Sequence, residues 1–164
     1  MKAKLVFLRL VCIISILIFC LCSCTSKSND GSHIEDGVLR VPIEIIQAEN
    51  IGSLMIQLSY DPDTISALEV NSSPLTSDSM LEYNTEVPGL VLIGIVDTEG
   101  VNGDGAIAEI SFDIIQNTGT TLILIDQLEA YDVETLIDVQ FVTNHGLYSF
   151  EDDTLVIPTI EAVR

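Results

Sequence analysis

Apolar and polar residues alternate along most of the sequence, and this alternation constrains the fold more than any other feature. Within 108–114, one side carries only apolar residues and the other carries Glu, Ser and Asp. Such a period of two is typical of a β-strand with one buried face. No window of about 11 residues has helical spacing, so the sequence predicts an all-β antiparallel sandwich or barrel. The nine predicted strands, separated by Gly, Pro, Asn and Asp, are 38–46, 53–60, 65–70, 80–84, 90–96, 106–115, 120–132 and two within 139–150.

The N-terminal segment differs from the rest and predicts an export signal. Three basic residues precede an apolar stretch that is shorter than the roughly 20 residues of a bilayer-spanning helix. Residues 21–24, Leu-Cys-Ser-Cys, resemble the lipobox of bacterial lipoproteins, in which Cys24 is the lipidated residue. We therefore expect a signal peptide at 1–23, a polar tether at 24–36, and a lipoprotein held outside the cytoplasm, at the cell surface or in the periplasm. The alternatives are an uncleaved anchor or ordinary secretion with cleavage nearby.

The distribution of charge and cysteine excludes several classes of function. The chain has 25 acidic residues and 6 basic ones, and three of the basic residues lie in the predicted signal peptide. A nucleic-acid partner held by phosphate contacts needs clustered Lys and Arg and is excluded, as is attraction to anionic lipid. Membrane attachment is expected through the lipid on Cys24 alone. All four cysteines lie at or before Cys24, which excludes thiol chemistry, a disulfide framework and a cysteine zinc site in the body of the chain.

Four segments of the chain resemble the cohesin domain. Residues 41–70 contain an extended strand beginning Val-Pro-Ile, a loop with Gly, a strand ending Tyr-Asp-Pro and a Leu-Glu-Val strand. Residues 100–114 are similar to the Gly-rich turn and Ala-x-Ile-x-Phe strand of that family. Residues 119–122 and 142–146 match its late strands. The resemblance covers roughly 37–150 and leaves a C-terminal tail at 151–164.

The resemblance implies a nine-stranded antiparallel jelly-roll β-sandwich related to carbohydrate-binding modules. Cohesins are binding modules that dock dockerin-bearing enzymes, so the implied role is to help assemble polysaccharide-degrading machinery at the cell surface. Dockerins themselves fold around calcium. The family has a strand before the Val-Pro strand, which is missing here, and the C-terminal tail is the candidate to cover that gap. Well-studied members carry Asn and Asp where this chain has Ser53 and Met55, so no known dockerin specificity transfers.

The expected partner-binding face consists of outward residues on the strands that the family uses for docking. Met55 is the main candidate contact, because an outward Met is a flexible apolar group suited to recognition. The alternatives are a covered surface or a register shift of one residue, which would turn Met55 inward. The predicted face contains Ser53, Met55, Gln57, Glu109, Ser111 and Asp113.

The sequence Asn-Gly-Asp-Gly at 102–105 raises the question of a calcium site. An EF-hand is excluded, because its twelfth position would be Ser111 rather than an acidic residue and a strand follows instead of a helix. An irregular calcium site and a solvated hairpin turn both stay open; no other cofactor is expected. The candidate calcium ligands are Asp97, Glu99, Asn102 and Asp104.

Catalysis has little support in the sequence, and we expect no enzyme activity. A Ser-His-Asp triad needs a histidine, and the two available are His33 in the tether and His145 in a predicted turn. The number of acidic residues does not exclude a pair of catalytic carboxylates, although most acidic residues fall in turns or on solvent-facing strand positions.

Two other roles stay open beside docking. Direct polysaccharide binding by the same sandwich needs exposed aromatic rings, and the chain has no Trp. Tyr83 and Tyr131 are the only candidate platform rings. The remaining alternative is a structural module of the cell envelope without a dockerin partner.

Overall fold

The computed structural model describes residues 33–163, which form ten strands and one short 3₁₀ turn, and the predicted all-β fold is confirmed. The predicted lipidation site Cys24, the signal peptide and most of the tether lie outside these residues. The described part contains no helix that is long and apolar enough to cross a membrane. The strands are β1 (Ile34–Glu35), β2 (Val38–Tyr60), β3 (Ile65–Ser72), β4 (Met80–Asn84), β5 (Leu90–Ile114), β6 (Thr120–Asp132), β7 (Gln140–Asn144), β8 (Gly146–Ser149), β9 (Thr154–Val156) and β10 (Thr159–Val163), with the 3₁₀ turn at Pro74–Thr76.

Two long strands, β2 and β5, each run through both layers of the sandwich. Residues 38–45 of β2 pair with 105–113 of β5, whereas 51–59 pair with 90–101. The front sheet has the order β4, first half of β5, second half of β2, β6, β8, β9, and the back sheet has the order β3, second half of β5, first half of β2, β10, β7. Four of the predicted strands are therefore halves of two continuous ones.

The core lies between the two sheets and follows the predicted alternation. Phe112 of the back sheet packs edge to face on Tyr60 of the front sheet, with 5.2 Å between ring centroids and a 73° interplanar angle. This contact joins the layers, and burial of the surrounding aliphatic side chains supplies the main stabilising free energy. The fully buried residues on β2 are Leu39, Val41, Ile43, Ile45, Ile56 and Leu58, and those on β5 include Val91, Ala108, Ile110 and Phe112.

The C-terminal residues belong to the sandwich. β10 lies parallel to 44–46 of β2 and antiparallel to β7, and Ile160 is fully buried. It pairs with an edge of β2 that would otherwise leave backbone groups without partners. The domain thus continues through Val163, beyond the predicted boundary at 150, and the C-terminal tail does fill an open edge of β2.

The last residues of the predicted tether are ordered as well. β1 pairs with 38–39 of β2, and the backbone N–H of Arg40 donates to the carbonyl of His33 at 2.9 Å. The His33 ring meets Tyr148 edge-on with 6.5 Å between centroids, and His33 is half-buried. Ile34 and Glu35, at the end of the expected tether, are therefore part of the sheet.

Candidate functional site

The outer side of the front sheet presents side chains from four adjacent strands in register. Met55, at its centre, lies directly opposite Gly94 of β5 on one side and Glu129 of β6 on the other. Because directly opposite residues in antiparallel strands point to the same side, these residues form rows across the sheet. The three rows, which together we call the front face, are Met80–Val96–Ser53–Tyr131, Glu82–Gly94–Met55–Glu129 and Asn84–Leu92–Gln57–Gln127.

The front face is unusually apolar for an outer surface. Met55 is 50% exposed, Val96 49% and Met80 65%, and Leu92 and Tyr131 are also exposed. Exposed apolar residues that cluster in this way mark interaction sites more often than scattered ones do. Met55 and Met80 are the only methionines after the first residue of the chain, and both lie on this face.

Gly94 leaves a shallow depression at the centre of the front face. A Cβ placed on Gly94 would come within 4 Å of only one atom outside its chain neighbours, the backbone oxygen of Glu82 at 3.9 Å. The position therefore has room above it, between Glu82 on β4 and Met55 on β2. Such a depression can receive an apolar group from a partner without distorting the sheet.

The charge of the front face is entirely negative. Glu82 and Glu129 are exposed and stand at the two ends of the central row. Arg40 is the only Lys or Arg in residues 33–163, and it lies on the back sheet, where it pairs with Glu35 and Glu109 at 3.4 Å each. Both of these ion pairs lie on the back sheet, so no Lys or Arg of residues 33–163 neutralises the front face.

The structure divides the predicted partner-binding face into two separate groups. Ser53, Met55 and Gln57 lie together on the front face, with Met55 pointing outward as expected. The other predicted residues lie on the outer side of the back sheet, because β5 changes sheet between 96 and 105. The three residues misplaced by the prediction are Glu109, Ser111 and Asp113.

Ser111 is also unsuitable as a contact for a second reason. It lies opposite Arg40 of β2 and Glu69 of β3 and is 2% exposed, and its hydroxyl has no hydrogen-bond partner. The front-face residues that the sequence analysis did not identify are apolar or acidic residues at outward-facing strand positions. Apolar residues at outward positions of 90–96 were the available signal, because that strand is apolar on both sides.

Asp97 has a structural role in the turn that follows the first half of β5. Its carboxylate accepts hydrogen bonds from the Ser79 hydroxyl at 2.6 Å and from the backbone N–H groups of Glu99 and Gly100 at 2.9 Å each. The hydrogen bond from Ser79 contributes most to lowering the pKa of Asp97 below its ordinary value. The carboxylate is therefore already engaged by three donors, one of them from the segment before β4.

Asn102 and Asp104 hold together the bends at which β2 and β5 change sheets. The Asp104 carboxylate accepts from the backbone N–H of Gln47 at 2.6 Å, and the Asn102 side-chain oxygen accepts from that of Asn50 at 2.9 Å. Within residues 33–163, no three His, Cys, Asp or Glu side chains are grouped so as to hold a metal ion. The calcium site left open at Asp97, Glu99, Asn102 and Asp104 stays a prediction, and the side chains of Asp97, Asn102 and Asp104 accept hydrogen bonds from separate backbone groups.

Comparison with known proteins agrees with the resemblance in the sequence. The family model described as the cohesin domain matches residues 27–150, which is most of the chain. The chain belongs to the cohesin domain family. No curated protein gives a significant match.

Solved cohesin structures share the fold at low sequence identity. The non-cellulosomal cohesin of the archaeon Archaeoglobus fulgidus is 22% identical, with a TM-score of 0.55 over 78% of this chain and 81% of that one. The OlpA cohesin–dockerin complex of Clostridium thermocellum gives 12% identity and a TM-score of 0.56, covering 80% of this chain and 92% of that one. A cohesin from scaffoldin B of Acetivibrio cellulolyticus, solved with a Cel5 dockerin, gives 17% and 0.55, covering 78% and 89%.

The histidines of this cohesin domain have structural contacts. The Nδ1 atom of His145 accepts a hydrogen bond from the backbone N–H of Ile125 at 3.2 Å, which links the turn before β8 to β6. His33 packs on the buried ring of Tyr148. The contacts of both histidines within residues 33–163 are with backbone groups and an aromatic ring, whereas a triad needs a serine and a carboxylate beside the histidine.

The two candidate platform tyrosines do not form a common surface. Tyr131 lies opposite Ser53 and points outward on the front face. Tyr83 lies opposite the buried Ile93, so it points to the inner side at the sheet edge, although it is 46% exposed there. Sugar platforms stack rings on coplanar exposed aromatics, and this pair does not offer that arrangement.

Proposed function

We propose that this cohesin domain binds a dockerin-type protein module through its front face. The observation that carries the proposal is the cluster of exposed apolar side chains around Met55, set in register on a four-stranded surface with a depression at Gly94. Related cohesins from Clostridium thermocellum and Acetivibrio cellulolyticus have been solved in complexes with dockerins. The proposed activity is binding, without catalysis.

The proposal places the domain outside the cytoplasm on a lipid anchor. The support is the sequence of residues 1–24, with its basic start, apolar stretch and lipobox-like Leu-Cys-Ser-Cys. Lipidation of Cys24 followed by the short tether would hold the domain at a membrane surface, where a bound dockerin would recruit a polysaccharide-degrading enzyme. Expression of the full chain in a bacterium supplied with labelled palmitate should label the wild type and leave Cys24→Ser unlabelled. Equal labelling of both would overturn this part of the proposal.

The docking proposal is tested by capture of purified dockerin modules on the immobilised chain. A panel of dockerins is passed over it with calcium and then with a chelator. We expect at least one dockerin to bind with calcium and to be lost with chelator, since dockerins fold around calcium. Thermal unfolding of the chain alone should be the same in both buffers. Absence of binding by every dockerin in calcium would refute the docking function.

A further inference from the structure

The central row of the front face has a charge pattern that specifies the chemistry of its partner. Glu82 and Glu129 stand at its ends, and Gly94 and Met55 lie between them. Both glutamates are exposed, and no described residue forms an ion pair with either of them. From β4 to β6, the row therefore consists of an acidic residue, a glycine, an apolar residue and a second acidic residue.

Docking an apolar surface onto this row would remove part of the water around the two carboxylates at its ends. A carboxylate that loses water without gaining a donor is strongly disfavoured, whereas a cationic donor at the same position restores the lost interactions. The chain supplies no such donor, because Arg40, the only Lys or Arg in residues 33–163, is held on the back sheet by Glu35 and Glu109. The donors must come from the partner.

We infer that the partner surface carries an apolar group facing Gly94 and Met55 and a Lys or Arg facing each of Glu82 and Glu129. This inference rests on the proposed docking function and names the partner's chemistry. The two glutamates are separated by three strand spacings, or about 14 Å. On a partner helix lying across the strands, basic residues 7 or 11 positions apart lie on the same face, at rises of about 10.5 Å and about 16.5 Å, which bracket that distance.

The same arrangement makes the rate of association sensitive to salt. An acidic domain attracts a basic partner surface over several ångströms in dilute salt, and added salt screens that attraction. Charges at the border of an interface act mainly on the association rate, whereas apolar contacts act mainly on dissociation. Substitution of Glu82 or Glu129 should therefore mainly change the association rate. Substitution of Met55 should mainly change the dissociation rate.

The test measures binding kinetics of the purified chain with calcium-loaded dockerins that differ in their number of surface Lys and Arg residues. The variants are Glu82→Gln, Glu129→Gln and the double substitution, measured at about 50 mM and about 500 mM salt. Asp113→Asn is the matched control, because Asp113 is an exposed acid on the back sheet. Unfolding midpoints of all variants should match the wild type, since the substituted side chains are exposed.

We expect the basic dockerins to bind, and each glutamine variant to lower their affinity about three- to tenfold at low salt. The loss should shrink at high salt, and Asp113→Asn should bind like the wild type. Binding in which the glutamine variants equal Asp113→Asn, or preference for dockerins without Lys and Arg, overturns this inference and leaves docking intact. Absence of binding by every dockerin overturns the docking function itself, and this inference with it.

Discussion

Replacing Gly94 by valine separates docking from folding, because it should raise stability while blocking the partner. Gly94 has no left-handed backbone angle, and its added Cβ would meet only the Glu82 carbonyl oxygen at 3.9 Å. Valine therefore fits the strand. A glycine within a strand loses conformational entropy and packs no side chain, so Gly94→Val should raise the free energy of unfolding by up to about 1 kcal/mol.

The effect on binding should have the opposite sign. The valine side chain would occupy the depression between Glu82 and Met55, into which the partner is proposed to place an apolar group. Forcing extra methyl groups into a well-packed contact costs about 1–3 kcal/mol, which corresponds to dissociation constants about 5- to 150-fold higher. Titration calorimetry with a captured dockerin measures the affinity, and urea unfolding measures the stability.

Ser66→Val on β3 is the matched control for added bulk. Ser66 is half-exposed and lies opposite Asp113 on the outer side of the back sheet, so its substitution should leave binding unchanged. If Gly94→Val binds a dockerin as tightly as the wild type, the centre of the front face is not in the interface and the proposed geometry is wrong. If Gly94→Val unfolds more easily than the wild type, the open space assigned to this position is wrong.

Three further predictions concern the sandwich itself. Phe112→Ala removes a fully buried ring and should lower the free energy of unfolding by about 3–5 kcal/mol in urea, and a loss below about 1 kcal/mol would contradict the described packing. Asp104→Ala removes the acceptor for the Gln47 N–H and should cost about 1 kcal/mol, equally with calcium or chelator; a calcium-dependent difference would contradict the capping role. Hydrogen bonding from Ser79 lowers the pKa of Asp97, so the stability that Asp97 contributes should be present at neutral pH and lost as the pH falls below about 4. The free energy of unfolding, plotted against pH, should therefore fall less steeply in acid for Asp97→Asn than for the wild type.

The alternation in the sequence was enough to predict which side of each strand is buried. It placed Ile110 and Phe112 in the core and Met55 outside, as the structure has them. Pro42 has no backbone N–H to donate to a ladder. Pro42 pairs with Glu109 on one side, and on the other it falls between the segments of β2 that pair with β1 and β10.

Which sheet a strand segment belongs to could not be predicted from alternation. The bend in β2 occurs at Gln47 and Asn50, which adopt positive φ angles of 57° and 55° although neither is glycine. Side chains of β5, distant in sequence, stabilise this bend by accepting the backbone N–H groups of both residues. Alternation shows only whether a residue points inward or outward. The prediction therefore placed Met55 and Glu109 on one face, whereas the fold places them on different sheets.

The polar residues at 97–104 show a similar limit. Their composition is compatible with calcium binding, but the choice between a metal ligand and a backbone cap depends on where the oxygens point. Asp104 accepts from a residue 57 positions away in the sequence. Contacts of that range are set by the meeting of β2 and β5, and no local spacing encodes them.

The continuity of β2 determines how the domain would carry mechanical load. The described chain enters the sandwich through β1 and then β2, and the same β2 strand places Met55 at the centre of the front face. A pull between a docked partner and the N-terminal side would therefore run lengthwise along one strand. β2 is bordered by β5 over both halves and by β10 at 44–46, so its hydrogen bonds would be loaded in shear and would have to break together. A domain loaded at the end of a peripheral hairpin would instead lose its pairs one after another, at lower force.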